Sequence, residues 1–158
     1  MTRQIWLISD THFNHANILN FTGYDGNPVR PGFSSVDEMN EKMVDNWNES
    51  IKDSDIVYHL GDVYFGNPNK AEDILKQLKG RKRLILGNHD ELKHNVLQRH
   101  FQKIMVWRYF HEEGFTASHI PLHFESVKGL YNVHGHIHQN LIDDPRYVNV
   151  CVEHTDYK

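Results

Sequence analysis

Apolar residues fall in short runs that each stop at a polar cluster, and longer amphipathic stretches stand between the runs. Gln4 to Ser9 carries Ile5-Trp6-Leu7-Ile8 and breaks at Asp10-Thr11-His12, the pattern of a buried strand ending at a polar loop. Residues 20–34 are rich in Gly, Pro and Asn and predict a loop. Ser35 with Glu38 forms a capping box, and Met39, Met43, Val44, Trp47 and Ile51 recur behind it at helical spacing. A helix is therefore expected over about 36–51. Strands follow over 55–60 and 83–86, with a helix over 71–78, stopped by Gly80, between them. A helix over 91–100 and one strand over 101–107 come next. Residues 109–118 read as a hairpin turning at Glu112-Glu113-Gly114, and strands over 130–133 and 147–152 complete the pattern. Strand–helix alternation followed by a run of strands predicts an α/β layer fold with some antiparallel pairing, as a single domain over 1–158.

The chain of 158 residues is long enough to bury roughly 68–70% of its unfolded surface without staples. Its formal charge of −4 is a poor footprint for gripping nucleic-acid phosphates, so a nucleic-acid polymer is not expected as a partner. The longest unbroken apolar runs are far short of the about 20 residues that a membrane span needs, so no membrane association is expected. Cys151 is the single cysteine, which leaves no internal disulfide to ask for an oxidising compartment, and a cytoplasmic location is expected. Cys151 reads as a small buried hydrophobe. Nothing in the pattern specifies an oligomeric partner.

Histidine changes the picture, with 13 copies against 17 Lys and Arg together. Polar clusters stand at the ends of five strand-like runs: Asp10-x-His12, Gly61-Asp62, Gly87-Asn88-His89-Asp90, His119 and Gly135-His136-x-His138. In α/β sheets, ligands collect outside the carboxyl ends of strands, so such loops can converge on one site despite their sequence distance. Asp10 and Asp62 are anionic oxygen ligands, Asn88 offers a neutral carbonyl oxygen, and His12, His119, His136 and His138 offer imidazole nitrogens. That set exceeds what one transition metal takes and fits two if a carboxylate bridges. Two divalent cations outweigh the two carboxylates, and the site stays positive even with a bridging hydroxide, which suits an anionic phosphate ester. Geometry and ligand type admit Mn, Fe, Ni, Co or Zn, with two Mn²⁺ ions the first expectation.

The strings Ile8-Ser9-Asp10-Thr11-His12-Phe13-Asn14-His15, Leu60-Gly61-Asp62, Leu86-Gly87-Asn88-His89-Asp90, Ser118-His119-Ile120-Pro121-Leu122 and Gly135-His136-Ile137-His138 resemble those of calcineurin-like metallophosphoesterases. The likeness is greatest to the small single-domain bacterial and phage-type members. It implies a β-sandwich of mixed sheets flanked by helices. It also implies that Asp10, His12 and His138 hold one metal, that Asn88, His119 and His136 hold the other, and that Asp62 bridges. His89 would then face the scissile phosphate and assist the leaving oxygen, with Asp90 as its orienter, while a hydroxide shared by the metals attacks phosphorus. The second motif reads Gly61-Asp62-Val63-Tyr64-Phe65-Gly66-Asn67 and lacks the acid and arginine of the superfamily's protein Ser/Thr phosphatases, which argues against that activity. A small nucleotide-like phosphodiester is the expected substrate. The alternatives are phosphomonoester hydrolysis and a non-catalytic scaffold of the same fold that binds a protein partner.

Around that core, His15, Asn17, Arg30 and His123 are candidate substrate contacts, on loops that follow the ligand motifs. His59 and His134 precede their glycines on strands and are expected in the core. His94, His100, His111 and His154 are expected on the surface, and Arg81-Lys82-Arg83 is read as a solvated basic turn facing away from the ligands.

Overall fold

The computed structural model describes residues 3–158. Strands β1 (Ile5–Ile8), β2 (Ile56–His59), β3 (Arg81–Ile85) and β4 (Lys103–Met105) form one wholly parallel sheet in that order. Helices α1 (Val36–Ser50), α2 (Pro68–Leu75) and α3 (Val96–His100) make the crossovers that parallel pairing requires. Strands β5 (Trp107–Phe110), β6 (Phe115–Ser118), β7 (Tyr131–His134) and β8 (Tyr147–Asn149) form the second sheet, antiparallel between β5 and β6 and parallel thereafter. The result is the expected sandwich with flanking helices.

The central strand shows why the layers form. All four residues of β2 are buried, as expected of a strand covered on both faces. Val57 points into a core built with Met39, Met43, Trp47, Leu75, Leu84 and Leu97, which joins the helices to the parallel sheet. Its neighbours Ile56 and Tyr58 point the other way, into an inter-sheet core with Leu60, Ile85, Phe110, Ala117 and Val133. The Ser35 side chain accepts from the Glu38 N–H at 3.1 Å and starts α1, as the capping box predicted.

Several boundaries differ from the sequence reading. The helix expected over 91–100 is reduced to α3, because Glu91 to Asn95 turn and Asn95 takes a left-handed backbone (φ 58°). The strand expected over 101–107 is two strands in different sheets, with the switch at Val106. Periodicity cannot reveal which sheet a residue joins. Arg81-Lys82-Arg83 is not a turn but the first part of β3. There the Arg83 guanidinium donates to the Tyr58 hydroxyl and stacks 5.2 Å from its ring. The last strand stops at Asn149, and the chain continues into a 3₁₀ turn over Val152–His154.

The two sheets are sewn together at their carboxyl ends. The Ser9 N–H donates to the Val150 carbonyl at 3.0 Å, and the Val152 N–H to the Ser9 carbonyl at 3.2 Å. All five polar clusters lie along this seam.

Candidate metal centre

The loop after β1 is zipped to the loop after β2: Asp10 N–H donates to Gly61 O at 3.0 Å, His12 N–H to Asp62 O at 3.0 Å and Phe13 N–H to Val63 O at 2.9 Å. The loop after β3 joins through Asp90, whose carboxylate accepts from Asp62 N–H (2.9 Å), Val63 N–H (2.9 Å) and Gly87 N–H (2.8 Å). Burial raises the pKa of Asp90 despite these donors. Its carboxylate thus faces backbone rather than the His89 ring, which corrects the expectation of a catalytic Asp90: it positions the loops. Two glycines let the loops approach. A Cβ at Gly87 would collide with the Asp62 carboxylate, and one at Gly135 with Ser9 Oγ and Asp10 Oδ2.

Five candidate ligands adopt a left-handed backbone: Asp10 (φ 57°), His12 (49°), Asp62 (57°), His136 (71°) and His138 (49°). Such conformations cost about 1–3 kcal/mol each in non-glycine residues and persist where surroundings over-determine them, commonly at functional sites. Here the zipped loops supply that constraint.

The side chains form two triads, Asp10–His12–His138 and Asp62–His119–His136, each with one ligand atom per residue lying within 4.8 Å of the others. His12 Nε2 lies 3.5 Å from Asp10 Oδ1 and 3.6 Å from Asp62 Oδ2, and His119 Nε2 lies 3.5 Å from the same Asp62 Oδ2. One carboxylate oxygen therefore stands between the triads. Asn88 Oδ1 lies 2.9 Å from His119 Nε2 and 3.0 Å from His136 Nδ1.

Several of these polar atoms crowd together. His119 Nδ1 meets the Leu60 carbonyl at 2.7 Å and donates to it, which turns Nε2 toward Asn88 Oδ1, His136 Nδ1 and Asp62 Oδ2. His138 Nδ1 lies 3.0 Å from Glu153 Oε1, so its Nε2 points toward Asp10 Oδ1. Asp10 Oδ1 and His12 Nε2 are buried with no hydrogen-bond partner. Buried polar atoms are nearly always paired, so these orphans are places for a cation. Ligands of a tetrahedral ion with bonds near 2.1 Å are about 3.4 Å apart, close to the separations seen. The residues fit two divalent metals.

Surrounding groups hold this arrangement. Asp10 Oδ2 accepts from Ser9 Oγ–H (2.5 Å), His136 N–H (2.8 Å) and the Cys151 thiol (3.3 Å). Burial alone would raise the Asp10 carboxyl, but His12, the charge of His119, Ser9 and the His136 N–H hold it well below the usual range. Burial pushes the Cys151 thiol far up, so it stays a neutral donor as well as a core residue. Burial lowers His12, and burial with repulsion from His119 lowers His136. Burial would lower His138 too, but the Glu153 carboxylate beside it brings a net rise.

Arg30 is corrected outright. Instead of meeting substrate it is buried, donating from Nε to Glu153 at 2.8 Å and from its terminal nitrogens to the Asp10 and Thr11 carbonyls. Glu153 thereby links Arg30 to His138, and no motif points to it, since it lies 15 residues from His138 and 123 from Arg30. His15 is half-buried, stacked 3.9 Å from the Phe65 ring with Nδ1 3.0 Å from His12 Nδ1, and burial then repulsion from His12 lower its pKa to about 4. Asn17 is exposed on a 3₁₀ turn, and His123 is exposed ahead of another, outside both triads. His89 is exposed, its backbone N–H donating to Asp62 Oδ1 at 2.9 Å and its ring 4.9 Å from Phe65. It borders a cleft of about 410 Å³ with Asn88, Phe65, Lys93 and His94. His59 and His134 are buried, as expected.

Among the described residues no helix is long and apolar enough to cross a membrane. The chain is 38% identical over 167 residues to an uncharacterized protein of Methanocaldococcus jannaschii, covering 99% of this chain and 85% of that relative. A gene 66 protein of Mycobacterium phage D29 is 33% identical over 89 residues, 54% of this chain and 40% of the phage protein. The crystal structure of a protein of unknown function from Aquifex aeolicus superposes with a TM-score of 0.77 at 29% identity, over 99% of this chain and 94% of that one. The family profile of the calcineurin-like phosphoesterases matches residues 3–155, so the chain belongs to that family of divalent-metal-dependent proteins.

Proposed function

We propose that this chain is a dinuclear metal-dependent phosphoesterase acting on a phosphodiester of a small, nucleotide-like substrate. The observation that carries this reading is the convergence of candidate ligand atoms, two of them buried without a hydrogen-bond partner, on both sides of Asp62 Oδ2. Asp10, His12 and His138 would hold one cation and Asn88, His119 and His136 the other, with Asp62 standing between the two sets. Divalent cations, Mn²⁺ first among them, supply Lewis acidity and acidify water toward neutral pH. Imidazoles and an amide outnumber the carboxylates among the ligands, so the loaded site keeps positive charge for a phosphate anion. His89, tethered to Asp62 through its backbone, places its imidazole at the cleft mouth to give a proton to the leaving oxygen. Hollows flank the site on the His89 side and on the Asn88–His119 side, which suits an ester with a substituent on each side of phosphorus. A lone buried thiol suits the cytoplasm.

Protein stripped of metal should release nitrophenolate from bis(p-nitrophenyl) phosphate only after Mn²⁺ is added, and faster than from p-nitrophenyl phosphate. His89→Ala should lower kcat about 10²–10⁴-fold, the usual worth of a general acid, while retaining bound metal. An absence of turnover with every divalent metal tried would overturn the enzyme reading, and faster monoester release would overturn the diester preference.

A further inference from the structure

Resting on that reading of the site, we propose that Trp107 and the groove beside it form the subsite for an aromatic, nucleobase-like substituent of the phosphate ester. The groove, about 290 Å³, opens at the candidate ligands Asn88 and His119 and runs between Val106–Trp107 and Ile120–Leu122. A second hollow of about 370 Å³ shares Trp107 and Leu122 and leads on to Lys128. Trp107 is therefore the common wall of a path that starts at one metal position and ends at a cation.

The placement follows from the fold. The chain leaves the parallel sheet after β4, crosses at Val106 and enters the second sheet at Trp107, which pairs with Ser118 in the antiparallel ladder. Ser118 directly precedes His119, so strand register rather than a loop sets the distance from the indole to a ligand. Val106, Trp107 and Ile120 are 70%, 52% and 49% exposed, a concentration of apolar surface at the mouth of a polar site. Exposed apolar patches of this kind mark binding surfaces. A flat base would cover the indole and gain stacking energy without hydrogen-bond readout, and the exposed Lys128 ammonium would meet a polar edge or second phosphate. The cleft on the His89 side is more polar: Glu91, Lys93 and His94 line it beside Tyr64 and Phe65, which suits a leaving group with polar substituents. Continuity with Asn88 and His119 favours a substrate substituent over a second protein chain.

The test compares two diesters that release the same p-nitrophenolate, one with thymidine 5′-phosphate and one with methyl phosphate as the retained part, in Mn²⁺-loaded protein. Base stacking predicts that the wild type prefers the nucleoside ester by about 10-fold or more in kcat/KM, that Trp107→Ala erases the preference and that Trp107→Phe keeps most of it. Equal rates in the wild type, or a preference unchanged in Trp107→Ala, overturn the proposal. A Trp107→Ala protein that changes oligomeric state while keeping the preference also overturns it and assigns the patch to a second copy. If neither ester is hydrolysed, the phosphoesterase reading fails instead, and the subsite is decided by fluorescence. AMP, and not methyl phosphate, should quench an emission component present in the wild type and missing in Trp107→Phe. Identical quenching in both proteins overturns the subsite.

Discussion

The two triads on either side of Asp62 contain the same kinds of residue in unlike surroundings. In the first, Asp10 and His12 are buried and His138 is half-buried. Its carboxylate is held by Ser9, Cys151 and the His136 N–H, its backbone by Arg30, and its outer imidazole by Glu153. In the second, Asp62 and His119 are buried, but His136 and Asn88 are exposed and chiefly touch each other and His119. Protein groups thus hold the first cage in shape, whereas the second is open to water and to the grooves where a substrate would lie. The same chemistry is coupled to folding on one side and to exchange on the other.

The sharpest break of this contrast is Arg30→Met. Removing the guanidinium leaves the Glu153 carboxylate buried beside His138 with one partner fewer, and a broken buried ion pair costs about 3–5 kcal/mol. Urea unfolding of metal-free protein checks this, and a loss under about 1 kcal/mol would show that the buried cage does not depend on its clamp.

A smaller effect comes from pH. His59 sits beneath the buried triad, where Thr11 Oγ1 donates to the Val63 carbonyl (2.8 Å) and so accepts from His59 Nε2–H (2.9 Å), while Gly61 N–H donates to His59 Nδ1 (3.1 Å). Both nitrogens are satisfied in the neutral ring, and burial lowers its pKa to about 3. The unfolded chain takes that proton near pH 6.5, so the unfolded state binds more protons between the two values. The stability held by neutral His59 is complete above about 6.5 and is lost as pH falls toward 3. At pH 5 the loss is about 2 kcal/mol, at roughly 1.4 kcal/mol per unit. The fall in stability between pH 7.5 and 5 should therefore be smaller by that amount in His59→Gln. An equal fall in both proteins would place the pH sensitivity elsewhere.

The smallest change belongs to the open side. His136→Ala should alter the stability of metal-free protein by no more than about 0.5 kcal/mol, as exposed positions do, while metal-dependent turnover collapses. A thermal melt and a hydrolysis assay on one preparation check both halves, and a large stability loss would erase the distinction between the triads.

How far the chain could be read without its fold differs by residue. The α1 helix was plain from its capping box and its Met39-Met43-Trp47 stripe, because both signals are local. The candidate ligands that the fold brings together were equally legible, since each follows a strand-like run and chemistry restricts the residue types that could serve. Asp90, Arg30 and Glu153 were misread or missed for one shared reason: their partners lie far along the chain, and a carboxylate that holds backbone has the same sequence signature as one that works on substrate. Val106 falls inside the single strand expected over 101–107 because residue patterning records burial and not sheet membership.

Residue type and spacing were enough to establish the family, the layered α/β architecture and the atoms able to hold cations, since these depend on local propensity and donor chemistry. Which donors are spent on the protein and which are left facing each other came from folding alone. Hydrogen-bond pairing, burial and the unlike character of the two triads are set by contacts between segments distant in the chain, in some cases more than a hundred residues apart, as in Arg30 with Glu153 and Asp10 with His136.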